Sequence, residues 1–184
     1  MAILNLAYFF VEFAVALAIG SVSLFADSVD FLEDTLVNLL IFVALPWAAR
    51  RRKVVGSILA FVILIPAIAT VWSAIAKILD PYPPEPAALT ITAFGALIVN
   101  LGCAMLLLRH RRHQGSLVTA AWLSARNDAI ANLAIILVGV LTFWFATGWL
   151  DIVVGVAIGL LNADSAREVW QAAREESDEA HPEP

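Results

Sequence analysis

Long apolar stretches, broken by short polar or proline-rich connections, run almost the whole length of the chain. A helix that crosses a bilayer needs about 20 mostly apolar residues. Six segments meet that length: residues 2–20, 22–47, 54–79, 86–108, 117–143 and 149–167. Gly20-Ser21 divides the first pair, and Thr147-Gly148 divides the last. Between the third and fourth runs Asp80-Pro81-Tyr82-Pro83-Pro84-Glu85-Pro86, whose proline density cannot continue a helix. The pattern predicts an all-α membrane protein, a six-transmembrane-helix bundle over residues 1–167. A short acidic tail, residues 168–184, follows it and is too polar to form a domain.

The second and fifth segments break their own pattern. Asp27-Ser28-Val29-Asp30-Phe31-Leu32-Glu33-Asp34 interrupts one, and Ser124-Ala125-Arg126-Asn127-Asp128-Ala129-Ile130-Ala131-Asn132 interrupts the other. A carboxylate at the bilayer centre costs roughly 2.5–3.5 kcal/mol on insertion scales. At 3.6 residues per turn, Asp27, Asp30, Asp34 and Asn38 share one helical face, and Ser124, Asn127, Asp128 and Asn132 share another. Asp34 is about 12 residues into its segment and Asp128 about 11 into its own, so both are expected near mid-membrane. Two antiparallel helices would then present Asp30, Asp34, Asp128 and Ser124 to one point. Such oxygen donors suit a divalent cation, with water completing the shell.

Carboxylates are expensive where amides would serve, so the aspartates call for a cation or proton pathway. The amides Asn38, Asn100 and Asn132 are read first as interhelical hydrogen-bonding groups. Asp27, nearer the segment end, is either solvated or guides ions. Glu33 and Arg126 lie off the stripes. They either neutralise each other or reach water, or Arg126 moderates the carboxylates and helps release the ion. Glu12, a further acid in the first segment, either pairs with a polar neighbour or relays protons. Cys103 reads as a small packing residue.

Orientation comes from the basic clusters Arg50-Arg51-Arg52-Lys53 and Arg109-His110-Arg111-Arg112-His113. Both fall in connections on the same side, and the positive-inside rule makes that side cytoplasmic. The N- and C-termini then face the cytoplasm as well. Trp47, Trp72, Trp144, Trp149 and Trp170 lie near segment ends, where aromatic belts form. His110 and His113 are read as incidental to a topology signal, with weak metal capture as the sharper alternative.

The composition agrees: 61% of residues are hydrophobic, well above the roughly 45–50% of soluble domains. With one cysteine, neither a disulfide framework nor a cysteine-rich zinc site forms within one chain. The net charge of −5 owes much to the tail, and no basic nucleic-acid surface is visible. Met1 leads straight into an apolar run without a basic n-region, so the first segment is expected to be a true span rather than a removable signal.

The run Gly20-Ser-Val-Ser-Leu-Phe-Ala-Asp27-Ser-Val-Asp30-Phe-Leu-Glu-Asp34 resembles the second-helix signature of the cation diffusion facilitator family. In that signature a Ser-hydrophobic-Leu-hydrophobic-Ala-Asp stretch leads to a His-or-Asp, three residues, then Asp. Ser124, Asp128 and Asn132 are similar to its fifth-helix signature, with serine where many zinc exporters carry histidine. The proline-rich connection and Val99-Asn100 are also similar to family members.

The resemblance implies a transmembrane cation-efflux domain over 1–167. It implies a proton-coupled exporter of zinc or a related divalent metal, such as manganese, iron, cobalt or cadmium. The metal would bind Asp30, Asp34, Asp128 and Ser124, with Asp27, Asn38, Asn127, Asn132 and Arg126 as accessories. The partners implied are the cation, protons and the lipid bilayer, with no cofactor and no nucleic acid. The location implied is the plasma (inner) membrane, multi-pass. Many members also carry a folded cytoplasmic C-terminal domain. The chain is expected to belong to a short subgroup lacking it, with any homodimer resting on membrane helices. The rival expectations are an intramembrane aspartyl protease and a non-transporting membrane subunit or metal sensor. The Gly-X-Gly-Asp surroundings of the protease are missing, because Asp128 follows Ala-Arg-Asn.

Overall fold

In a computed structural model, residues 1–44, 49–110 and 115–163 are described. The chain there is helical apart from its short connections, with no strand among the described residues. The elements are α1 (Ala2–Ile19), α2 (Val22–Ala44), α3 (Ala49–Leu79), α4 (Pro86–His110), α5 (Gly115–Thr142) and α6 (Trp149–Ala163). Trp47, residues 111–113 of the second basic cluster, Trp170 and the tail 168–184 lie outside the described residues. So do the side chains of residues 50–53, Arg109 and His110.

Two of the helix ends have a clear local cause. Gly20 stops α1 in the left-handed region, at φ 63°, and its N–H bonds back to the Ala16 carbonyl. Pro86 opens α4, and the Glu85 carboxylate accepts from the N–H groups of Ala87 and Ala88. The α3–α4 and α5–α6 connections meet, with Gly148 N–H donating to the Pro81 carbonyl at 3.3 Å. Pro66 sits inside α3, and its carbonyl accepts the Thr70 hydroxyl at 3.0 Å.

α2 packs against α1 and α3 and touches α5, while α4 pairs with α5 and also meets α1. Asn162 on α6 donates to the Ala26 carbonyl of α2 at 3.0 Å. The core along these contacts is rich in small residues: Ala16, Ala26, Ala93 and Ala96 are buried with Leu24, Val29, Leu89 and Ile135. Small side chains let helix backbones approach closely. At Gly155 α6 comes directly against the start of α2, since a Cβ there would lie 2.7 Å from the Ser23 nitrogen and the Val22 carbonyl carbon. Gly155→Ala is expected to push α6 off α2 and cost about 1–3 kcal/mol. A thermal melt in detergent checks it, and an unshifted midpoint would contradict the packing.

The burial pattern is inverted relative to a soluble protein. Phe10 and Val11 on α1, Trp72 on α3, Ile91 on α4, Leu133 on α5 and Leu160 on α6 are exposed. Asn5, Glu12, Asp27, Asn132 and Asp151 are buried. Among the described residues, two helical stretches, Ala2–Ile19 and Pro86–Leu106, are long and apolar enough to cross a membrane by composition alone. α2 has the length but carries Asp27, Asp30, Glu33 and Asp34.

Candidate metal site

Asp30 sits on the third turn of α2, half-buried, with Asp128 of α5 facing it. The Asp128 carboxyl lies within hydrogen-bonding reach of Asp30. Two carboxyl groups at such range repel unless a proton or a cation stands between them. The arrangement therefore offers oxygen donors from two different helices to one positive species.

Asp34 follows one turn along α2 and acts on both groups through its charge. Its carboxylate is engaged elsewhere: Oδ2 accepts from the Asn5 amide of α1 at 3.1 Å. Asn5 is fully buried, and its own carbonyl oxygen accepts the Cys103 thiol of α4 at 3.3 Å. Cys103 is thus a polar contact as well as a packing residue. The expected three-aspartate convergence is reached only between Asp30 and Asp128. Among the described residues, no three His, Cys, Asp or Glu side chains are grouped to hold a metal ion.

Asp27 is buried and faces Glu12 of α1 within hydrogen-bonding reach. Asn132 is buried on α5, donating to the Asp128 carbonyl at 2.7 Å and, at 3.5 Å, to Asp27 Oδ1. Asn38 donates to the Asp34 carbonyl on its own helix at 2.7 Å. Asn127 is exposed. It stands about 140° around α5 from Asn132, too far for one narrow face to hold both. Glu33 is buried, and its Oε2 has no donor among the described residues. The Ser124 and Arg126 side chains lie outside the described residues.

A second polar centre was missed in the sequence. Asp151, at the start of α6, is fully buried. It accepts from the Ser21 and Ser23 hydroxyls, each at 2.6 Å, and from the backbone N–H groups of Val22 and Ser23 at 2.8 and 3.2 Å. It also pairs with Lys77 of α3 at 2.8 Å. Lys77 in turn donates to the Gly20 carbonyl at 2.5 Å. A carboxylate thus faces the positive end of α2, and an ammonium faces the negative end of α1. One signal was available: the first turn of an apolar segment holds a lone acid, and the third segment ends on a lone lysine.

Among the described residues, helices with buried acids inside and apolar residues outside fit a helical membrane domain. The sequence matches the model of the cation efflux transmembrane domain over residues 1–175. The chain belongs to this family, the cation diffusion facilitators, whose members are transporters and not enzymes. It is 26% identical over 175 residues to the zinc transporter ZitB of Escherichia coli (strain K12), covering 87% of this chain and 54% of the relative. The zinc transporter ZitB of Shigella flexneri matches to the same extent. The chain thus spans about half the length of these curated relatives.

Proposed function

We propose that this chain moves a divalent metal cation out across the membrane in exchange for protons. The ion is zinc or a related metal such as manganese, iron, cobalt or cadmium. The observation that carries the reading is the Asp30–Asp128 carboxyl pair, built from α2 and α5 inside an otherwise apolar bundle. Such a pair holds either a cation or a shared proton, so metal and protons compete for the same oxygens. Asp34, one turn away, joins them on release from Asn5 and completes a three-carboxylate set. Ser124, one turn before Asp128 on α5, supplies a further oxygen. The relatives' printed names favour zinc, and the oxygen-rich set favours a harder ion.

In this reading all six helices cross the inner (plasma) membrane and both termini face the cytoplasm, as the basic connections suggest. Rocking of helices opens the site to alternate sides. The test is purified protein in liposomes with an internal pH dye, challenged in turn with zinc, manganese, iron, cobalt and cadmium. Metal flux accompanied by opposite proton movement is expected. Flux without a pH change would remove the proton exchange, and absence of flux with every metal would remove the transporter.

Ser124→His is expected to shift transport toward zinc over manganese, since imidazole suits zinc better than a neutral hydroxyl does. Competition between the two ions checks it. An unchanged ratio in a variant that still transports would take residue 124 out of the coordination shell.

A further inference from the structure

Glu12 is fully buried on α1, and no donor among the described residues reaches either of its carboxyl oxygens. Asp27 on α2, within hydrogen-bonding reach of it, is 1% exposed, and its Oδ2 has no donor. The Oδ1 atom accepts a long 3.5 Å contact from the Asn132 amide. Asn132 is fully buried too, and its Oδ1 lacks a donor. Its orientation follows from chemistry: the Asp128 carbonyl can only accept, so the Asn132 nitrogen must face it. The charged groups acting on Glu12 are Asp27 and Asp30, both carboxyls. Tyr8, which feels both Glu12 and Asp27, donates its hydroxyl to the Thr92 carbonyl instead.

Four acceptor atoms of Glu12, Asp27 and Asn132 are thus buried without a donor among the described residues. Buried polar atoms are almost always satisfied, and an unpaired carboxylate away from water is among the costliest exceptions. A proton shared between Glu12 and Asp27 satisfies part of this centre, whereas a metal cation can be bound by the oxygens of all three side chains. We propose that Glu12, Asp27 and Asn132 form a second divalent-cation site beside the Asp30–Asp128 pair. This rests on the transport reading above and extends it. Two carboxylates balance a charge of +2, and an oxygen-only donor set takes a hard ion such as manganese. Asp27 precedes Asp30 by about 4.5 Å of helix rise, toward the end where α2 begins. Ions at both positions repel, so filling one loosens the other, and the transported ion steps between them.

The test counts Mn²⁺ bound to the purified full chain in detergent, from the loss of the free-ion EPR signal. Asp30→Asn/Asp128→Asn disables the paired aspartates with near-isosteric amides. This double variant is expected to keep a single Mn²⁺ per chain. Adding Glu12→Gln is expected to weaken that binding at least about tenfold, the least that losing a group supporting a metal costs. A folded double variant that binds no Mn²⁺, while the parent does, overturns the second site and leaves the transport reading standing. A parent that binds no Mn²⁺ overturns the second site, whereas zinc flux in the liposome assay decides the transport reading separately. If the triple variant with Glu12→Gln does not fold, Asp27→Asn takes its place. Undiminished Mn²⁺ binding in either triple variant refutes the assignment.

Discussion

Asp128→Ala protein, purified and reconstituted, is expected to fold like the parent and to transport metal at least about 100-fold more slowly. That figure is the upper end of what losing a merely supporting group costs at a metal site. The fold should tolerate the change. The Asp128 side chain is half-buried, and its close polar neighbour is another carboxyl, Asp30. Removing one of two like groups relieves repulsion and desolvation instead of leaving an opposite charge unpaired. The α5 contact to Asn132 survives, because it uses the Asp128 backbone carbonyl. Asp34→Ala should lose transport as well, with a small stability loss from the orphaned Asn5 amide. Metal uptake into liposomes at matched protein content checks both. Parental rates in a folded Asp128→Ala variant would take this residue out of the mechanism.

Asp151→Ala should do the reverse, striking the fold before the transport site. It leaves Lys77, 4% exposed, without its carboxylate, and strips the cap from the first N–H groups of α2. Breaking a buried pair by removing one partner costs about 3–5 kcal/mol. Lost capping adds about 1 kcal/mol. A loss of this size is expected in detergent melts, with reduced yield. Adding Lys77→Met to Asp151→Ala should recover part of it, because the stranded charge goes too. The recovery stays partial, since the Ser21 and Ser23 hydroxyls and the α2 N–H groups still lack their acceptor. A double variant no more stable than Asp151→Ala would mean that the unpaired ammonium is not the source of the loss.

The two centres differ in how readily the amino-acid order reveals them. Asp30 and Asp34 announce themselves because carboxylates are costly in an apolar helix, and because their spacing of four puts them on one face. Asp128 stands out on α5 for the same cost. Both signals are local, so the all-helical architecture and the presence of acids on α2 and α5 were legible. Asp34 was not fully so. Whether its carboxylate turns to Asp30 or to Asn5 depends on where α1 lies, and nothing in α2 encodes that. The stripe drawn on α5 was likewise too wide, as the exposed Asn127 shows.

Asp151 and Lys77 stayed hidden for a related reason. Each is a single charge near a helix end, where a charge ordinarily reaches water at little cost. The α3 and α6 ends close over the α1–α2 junction, and that packing turns two unremarkable charges into a buried pair. Glu12 lies between these cases: its cost was visible, its partner Asp27 was not. By itself, then, the sequence determined which segments are helical and which of those apolar segments carry acids, because hydropathy and helical period act within one segment. Tertiary structure alone decided which acid meets which, since a contact between helices depends on their relative rotation and depth. Those are set by small-residue packing such as Gly155 against Val22, spread over many residues far apart in the chain.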